Sequence, residues 1–125
     1  MKVSGEARLE RRFSQDDFDR FARLSGDANP IHVDPGFAAG TRFDRTVAHG
    51  MLLVSVLRGL VARLVPGARV VEQTVMFPAP TFADEPMIFT ANVTGRAAGS
   101  VTVELEVRRA GDGVVTCRGQ CRAAA

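Results

Sequence analysis

Hydrophobic positions follow a helical period in the first half of the chain and a two-residue alternation in the second. After an extended stretch to about Phe13, Ser14 stands where a helix can begin. Asp17, three residues on, is a shorter relative of the capping-box glutamate. Phe13 and Phe18 occupy the staple positions around that cap; Phe18, Phe21 and Ala22 keep helical spacing, and Gly26 is placed to end the helix in a left-handed conformation. A short second helix is predicted from Asp34 and Pro35, a cap followed by the ring that fits the first helical position, through Phe37, Ala38 and Ala39 to Gly40. The third helix, from Gly50 to about Val65, is apolar on nearly every face, with Met51, Leu52, Leu53, Val54, Val56, Leu57, Leu60, Val61 and Leu64. Such a helix is expected to be enclosed, and Arg58 and Arg63 within it argue against a membrane span.

Pro66 and Gly67 stop that helix, and strands follow. Val71, Val75 and Phe77 predict one strand face; Met87, Phe89, Ala91 and Val93 predict the next. The clearest alternation sets Val101, Val103, Leu105 and Val107 inward, with Thr102, Glu104, Glu106 and Arg108 outward. Ala110 to Gly113 supply a hairpin, after which Val115, Cys117 and Cys121 continue one face of a last strand. The arrangement that satisfies both patterns is α+β, a curved antiparallel sheet wrapped around the long apolar helix, in one domain over residues 1–125.

Composition narrows the function. Sixteen basic residues against fourteen acidic ones leave a net charge of +2, and eight Phe stand with no Tyr or Trp, so a nucleic-acid surface is not expected. Lys2 is the only lysine; the other basic residues are arginines. The first ten residues lack the apolar run of a signal peptide and no stretch is long enough to span a bilayer, so no membrane partner and a cytoplasmic location are expected. Cys117 and Cys121 would lie roughly 13 Å apart along a strand at about 3.3 Å per residue. That is too far for a disulfide, and two reduced thiols are expected.

The candidate chemistry lies in SGDANPIHVDP, where Asp27, Asn29, His32 and Asp34 fall close together beside the start of the apolar helix. Pro30 restricts Asn29 to an extended conformation, so the chain is predicted to turn at Asp27 to Asn29 and run extended through Ile31 to Val33. Asp27 and His32 then face a common space. Three readings remain open at this point. The residues can be turn formers, a hydrogen-bonded histidine and a helix cap; they can be metal ligands, as His32, Asp34 and His49; or Asp27 and His32 can hold and activate a water. Gly50 either eases a tight entry into the apolar helix or adds a further element, because a helix N-terminus presents backbone N–H groups with no intrahelical partner and a positive dipole end to a carbonyl oxygen that gains charge.

SGDANPIHVDPGFA followed by AHGMLLVS resembles the signature of the MaoC-like, R-specific enoyl-CoA hydratases, in order and length over nearly the whole chain. The resemblance implies a single hot-dog fold and reversible syn addition of water to a trans-2-enoyl thioester of coenzyme A or an acyl carrier, giving the (R)-3-hydroxyacyl thioester. It implies that Asp27 and His32 activate the water, that Gly50 N–H forms the oxyanion hole, that Asn29 braces the turn, and that His49 supports the site from beside the oxyanion glycine. No metal or redox cofactor is implied, and the expected assembly is a homodimer or higher homo-oligomer. One departure bears on acyl preference: where relatives carry a supporting serine on the long helix this chain has Arg58, with Ser55 three residues earlier. The rival readings are a hot-dog acyl-CoA thioesterase and a non-catalytic acyl-CoA-binding or regulatory module. Release of free thiol, hydration without release, or binding alone separates the three.

Overall fold

The structure is a computed structural model that describes residues 5–124; the part of the predicted opening stretch before Gly5 lies outside the described residues. In chain order the elements are β1 (Glu6–Arg11), α1 (Gln15–Ser25), α2 (Pro30–Val33), α3 (Pro35–Ala39), α4 (Gly50–Leu64), β2 (Arg69–Met76), β3 (Met87–Ala97), β4 (Ser100–Arg109) and β5 (Val115–Ala124). The strands form one antiparallel sheet in the order β1-β3-β4-β5-β2. Its inner face supplies Phe89, Val103, Val107 and Cys117 to a core completed by Leu53, Leu57, Leu60 and Leu64 of α4 and by Phe13 and Phe18. A sheet curled over a central helix is the hot-dog arrangement.

Local signals explain the α1 boundaries. Ser14 and Asp17 form the capping box reciprocally, with Ser14 Oγ accepting from Asp17 N at 3.1 Å and Asp17 Oδ2 accepting from Ser14 N at 2.9 Å. Gly26 ends the helix at φ 82°, a conformation without steric cost only for glycine. Burying Phe13 and Phe18 on either side of the cap sets the angle at which the chain enters the core.

Three expectations need correction. The stretch Pro30–Val33 is a single helical turn, not an extended segment, because Asn29 accepts a side-chain hydrogen bond from Ile31 N at 3.2 Å and Pro30 fits the first helical position. α4 is not enclosed within this chain: Leu53, Val54, Leu57, Leu60, Val61 and Leu64 are buried, whereas Met51, Ser55, Arg58, Gly59 and Arg63 are exposed. The sheet covers only one side of the helix, and the small and charged residues gather on the other. In β2 the inward residues are Val70 and Val75, with Val71 exposed. A bulge puts Val71 between Val70, paired with Ala123, and Glu72, paired with Arg122, so the parity of the strand changes there. Phe77 falls beyond the strand end.

Cys117 and Cys121 are free and buried, as expected. Burial pushes the Cys117 thiol up to about 11. Among the described residues no helix is long and apolar enough to cross a membrane.

Candidate active site

Asp27 follows the αL glycine that ends α1, and its carboxylate accepts from Asn29 N at 3.2 Å while Asn29 accepts from Ile31 N. These two side-chain turns replace the backbone hydrogen bonds that a longer element would supply, and they lead the chain directly into α2. His32, on α2, is held at three points. Its carbonyl accepts from Gln15 Nε2 at 2.9 Å, its N–H donates to Asn29 O at 2.9 Å, and its ring Nδ1 lies 2.8 Å from Val47 O. A carbonyl can only accept, so Nδ1 carries the proton and Nε2 presents a lone pair. That Nε2 lies 3.8 Å from Asp27 Oδ2, too far for a direct hydrogen bond and close enough for one water to touch both. The His32 side chain is largely covered and the Asp27 side chain is more than half exposed.

The strap Val47–His49 brings the remaining parts together. Val47 N donates to Ile31 O at 3.0 Å and Ala48 N to Thr81 O at 2.8 Å, which suspends the strap between α2 and the segment that follows β2. Gln15 also accepts from Thr46 Oγ1 at 2.6 Å, tying the start of the strap to α1. His49, 3% exposed, N-caps α4 by position and stacks on His32 with ring centroids 3.8 Å apart and planes 23° apart. Its Nε2 lies 2.8 Å from the Asp27 carbonyl oxygen and must therefore donate, leaving Nδ1 buried without a partner among the described residues. Burial holds the His49 pKa below the ordinary histidine value, against the opposing pull of the Asp27 carbonyl. A neutral ring is thus kept flat beneath His32.

Gly50 opens α4. A Cβ at this position would come within 2.5 Å of the Phe77 ring, so the absence of a side chain is what lets Phe77 lie against the helix N-terminus. Gly50 N–H has no acceptor among the described residues, as expected for the first turn of a helix. Asp27, His32, His49, Gly50 and Phe77 all line one cavity of about 510 Å³.

The trio of the metal reading, His32, Asp34 and His49, does not assemble. Asp34 caps α3, accepting from Phe37 N at 3.1 Å, and it is Asp27 that joins His32 and His49, their donor atoms lying within 4.8 Å of one another. The two histidines fit a shared ion poorly. A metal must lie near the plane of each ligating ring at about 2.0–2.1 Å, and planes stacked at 3.8 Å and inclined by 23° meet only several ångströms beyond the ring atoms.

Of the remaining candidates, Asn29 braces the turn as described. Ser55 and Arg58 stand apart from the cavity: Ser55 Oγ donates to Leu52 O at 2.7 Å within its own helix, and Arg58 Nε reaches Gln73 Oε1 at 3.4 Å on the outer side of α4. Sequence reasoning missed the second wall. Phe77, Pro78, Pro80 and Thr81 form it, and Thr116 of β5 joins them. Arg109 Nη2 donates to Pro80 O at 2.7 Å while Arg109 pairs with Glu85 at 3.2 Å, and Ala110 N donates to Pro86 O at 2.9 Å. The density of proline over 78–86 was the available signal for a shaped loop, but nothing local connects it to Arg109.

A carboxylate, an imidazole lone pair and a free helix N-terminus around one cavity define an acid/base site suited to adding or removing water beside a carbonyl. A family model for the MaoC-like domain matches residues 2–113, and the chain belongs to that family. It is 40% identical to the (R)-specific enoyl-CoA hydratase of Aeromonas caviae over 96 residues, 75% of this chain and 72% of that protein. It is 33% identical to the mitochondrial 3-hydroxyacyl-[acyl-carrier-protein] dehydratase of Arabidopsis thaliana over 88 residues, 70% of this chain and 53% of that one. The solved (R)-hydratase from A. caviae involved in PHA biosynthesis superimposes with a TM-score of 0.91 at 33% identity, over 99% of this chain and 96% of that chain.

Proposed function

We propose that this protein is a hydro-lyase that interconverts trans-2-enoyl thioesters and (R)-3-hydroxyacyl thioesters. The observation that carries the reading is the pairing of an unprotonated His32 Nε2 with the Asp27 carboxylate at 3.8 Å, in a cavity whose wall includes the N-terminus of α4. A water between the two groups donates one hydrogen to Asp27 Oδ2 and one to His32 Nε2. Its oxygen lone pair is thereby aimed into the cavity. As that oxygen bonds to C3, His32 takes the proton, and the displaced π electrons move through C2 to the thioester oxygen, received by Gly50 N–H. His32 then returns the proton to C2 on the same face, so the elements of one water are added syn.

His49 serves as the neutral support of both groups, holding the Asp27 backbone through Nε2–H and the His32 ring by stacking. We propose further that the reaction uses no metal; the stacked rings, which do not converge on a common ion, support this. A homodimer joined along β2 is proposed as the working assembly. Among the described residues β2 bonds only to β5 and its other edge carries no strand, with Val71, Met76 and the adjoining Phe77 exposed along it, the kind of edge that invites a second strand. Two free buried thiols accord with a cytoplasmic location.

The test follows loss of the enoyl-thioester absorbance over a series of acyl lengths, with a thiol reagent present and chiral analysis of the product. Hydration without thiol release, giving the R product, is expected. Stoichiometric thiol release would establish a thioesterase instead, and binding without turnover a non-catalytic module.

A further inference from the structure

The buried part of the cavity lining holds a polar pair for which the proposed reaction has no use. Four residues lining the cavity are buried, namely His49, Leu53, Thr81 and Thr116, whereas Asp27, Met51 and Phe77 are exposed and mark its mouth. Thr81 and Thr116 are 3% and 0% exposed, and their hydroxyl oxygens lie 2.8 Å apart. Thr116 is aimed there by a bulge: Val107 pairs with Cys117 and Arg108 with Val115, so Thr116 is an extra residue with no partner in the ladder. Thr81 is fixed by its own carbonyl, which accepts from Ala48 N in the strap that carries His49.

Valine has the shape of threonine, so filling this space does not require a hydroxyl, let alone two. Two hydroxyls carry two protons, and one hydrogen bond between them consumes one. The second proton has no acceptor among the described residues, and an unsatisfied donor in a covered site costs free energy that a ligand oxygen can recover. Neither group bears a charge, so the complement is a neutral acceptor.

We propose that the Thr81–Thr116 pair is a recognition site for a neutral oxygen on the acyl chain, such as an ether, carbonyl or hydroxyl group, remote from the reacting double bond. The proposal rests on the hydratase reading and adds a substrate class to it. A thioester that enters at the mouth and presents C2 and C3 to Asp27 and His32 sends the rest of its acyl chain toward the buried end, where the free hydroxyl proton meets an oxygen in place of a methylene. Sites built to hydrogen-bond one substrate atom discriminate strongly against analogues that lack it.

The experiment compares kcat/KM for the coenzyme A thioester of trans-2-octenoic acid with those of its ether isosteres, in which one methylene beyond carbon 4 is replaced by oxygen. For the best-placed ether, the ether-to-alkyl ratio is expected to fall about tenfold from the wild type to Thr116→Val and to Thr81→Val, the alkyl thioester itself gaining. Thr116→Ser, which keeps the hydroxyl, is expected to retain the wild-type ratio. Should a valine variant fail to fold, Thr116→Ala removes the hydroxyl without branching and is read in the same way. A ratio unchanged by loss of either hydroxyl, for every ether position, overturns the recognition site while leaving the hydratase reading intact. Failure of the wild type to hydrate a trans-2-enoyl thioester of any length from butenoyl to octenoyl overturns the hydratase reading itself.

Discussion

The cavity has two walls held in opposite ways. On the first, residues 25–34, the turns are set locally, with Ser25, Asp27, Asn29 and Asp34 each accepting from a backbone N–H two or three residues ahead, and Gln15, Val47 and His49 then pin His32, Ile31 and Asp27 from outside. On the second, residues 77–86, the constraints come from far along the chain: Arg109 to Pro80 O, Ala110 N to Pro86 O, Ala48 N to Thr81 O and Asp84 N to Phe13 O. The acid/base groups lie on the wall whose turns are set by near neighbours, and the residues that shape the substrate's surroundings lie on the wall that has no local turn bonds of this kind among the described residues. Chemistry and selectivity are therefore separable in mutation.

The largest effect is expected at the locally built wall. His32→Ala and Asp27→Asn should each lower kcat by at least about 100-fold, with circular dichroism and melting temperature little altered. Because both act on one water, the double variant should be scarcely slower than the poorer single one.

Arg109→Met tests the other wall. It removes hydrogen bonds to Pro80 O and to the exposed Asp112, and among the described residues leaves the largely covered Glu85 with only the longer pairing to Arg45 at 3.8 Å. A loss of about 2 kcal/mol in a denaturant melt is expected, with KM raised more than kcat is lowered, since the catalytic turn does not depend on Arg109. An equal fall in kcat with KM unchanged would mean that the two walls are not independent.

A pH profile of stability sharpens the comparison through His49, which touches the catalytic turn and begins α4. Burial lowers its pKa in the folded state, so below about pH 6.5, the ordinary value for an unfolded chain, the unfolded state binds more protons than the folded one. Stability contributed by the neutral ring is present above that pH and falls as the pH drops below it. His49→Gln should flatten this acid limb in urea melts taken from pH 5 to pH 7.5.

The sequence displayed the turns of the first wall, because those hydrogen bonds run between near neighbours whose side chains announce them, whereas the bonds from Gln15, Val47 and His49 that pin His32 and Asp27 had no local sign. Asp27, Asn29 and Asp34 are legible as turn and cap residues, and His32 and Gly50 as chemistry beside them. The exception is instructive. Pro30–Val33 reads as extended from the proline rule, yet Asn29 caps it into a helical turn, and that turn aims the His32 ring. Bulges were the main failure in the sheet. One extra residue at Val71 reverses which side chains of β2 face inward, and one at Thr116 sends a hydroxyl into the cavity. Neither position differs in composition from its neighbours, since a bulge is set by the pairing of distant strands. Arg58 and Ser55 were drawn toward the site by alignment along α4, but the helix turns them outward.

Smaller effects close the series. Asn29→Ala removes a cap worth about 1 kcal/mol in helix termini and should slow turnover roughly tenfold by loosening His32, a loss that Asn29→Asp recovers. Asp34→Ser, which keeps an acceptor for Phe37 N, should change stability by no more than about 0.5 kcal/mol and leave turnover unaltered.

The two thiols of β5 make the molecule its own reporter of opening. Cys117 and Cys121 sit on a strand bonded on both sides, to β4 and to β2, and face the core. A disulfide reagent can reach them only when the centre of the sheet parts from α4, and a thiol raised to about 11 at Cys117 offers almost no thiolate until then. The rate at which native protein is labelled therefore measures how often the sheet opens. Ligands that seat in the cavity slow that clock without touching either sulfur.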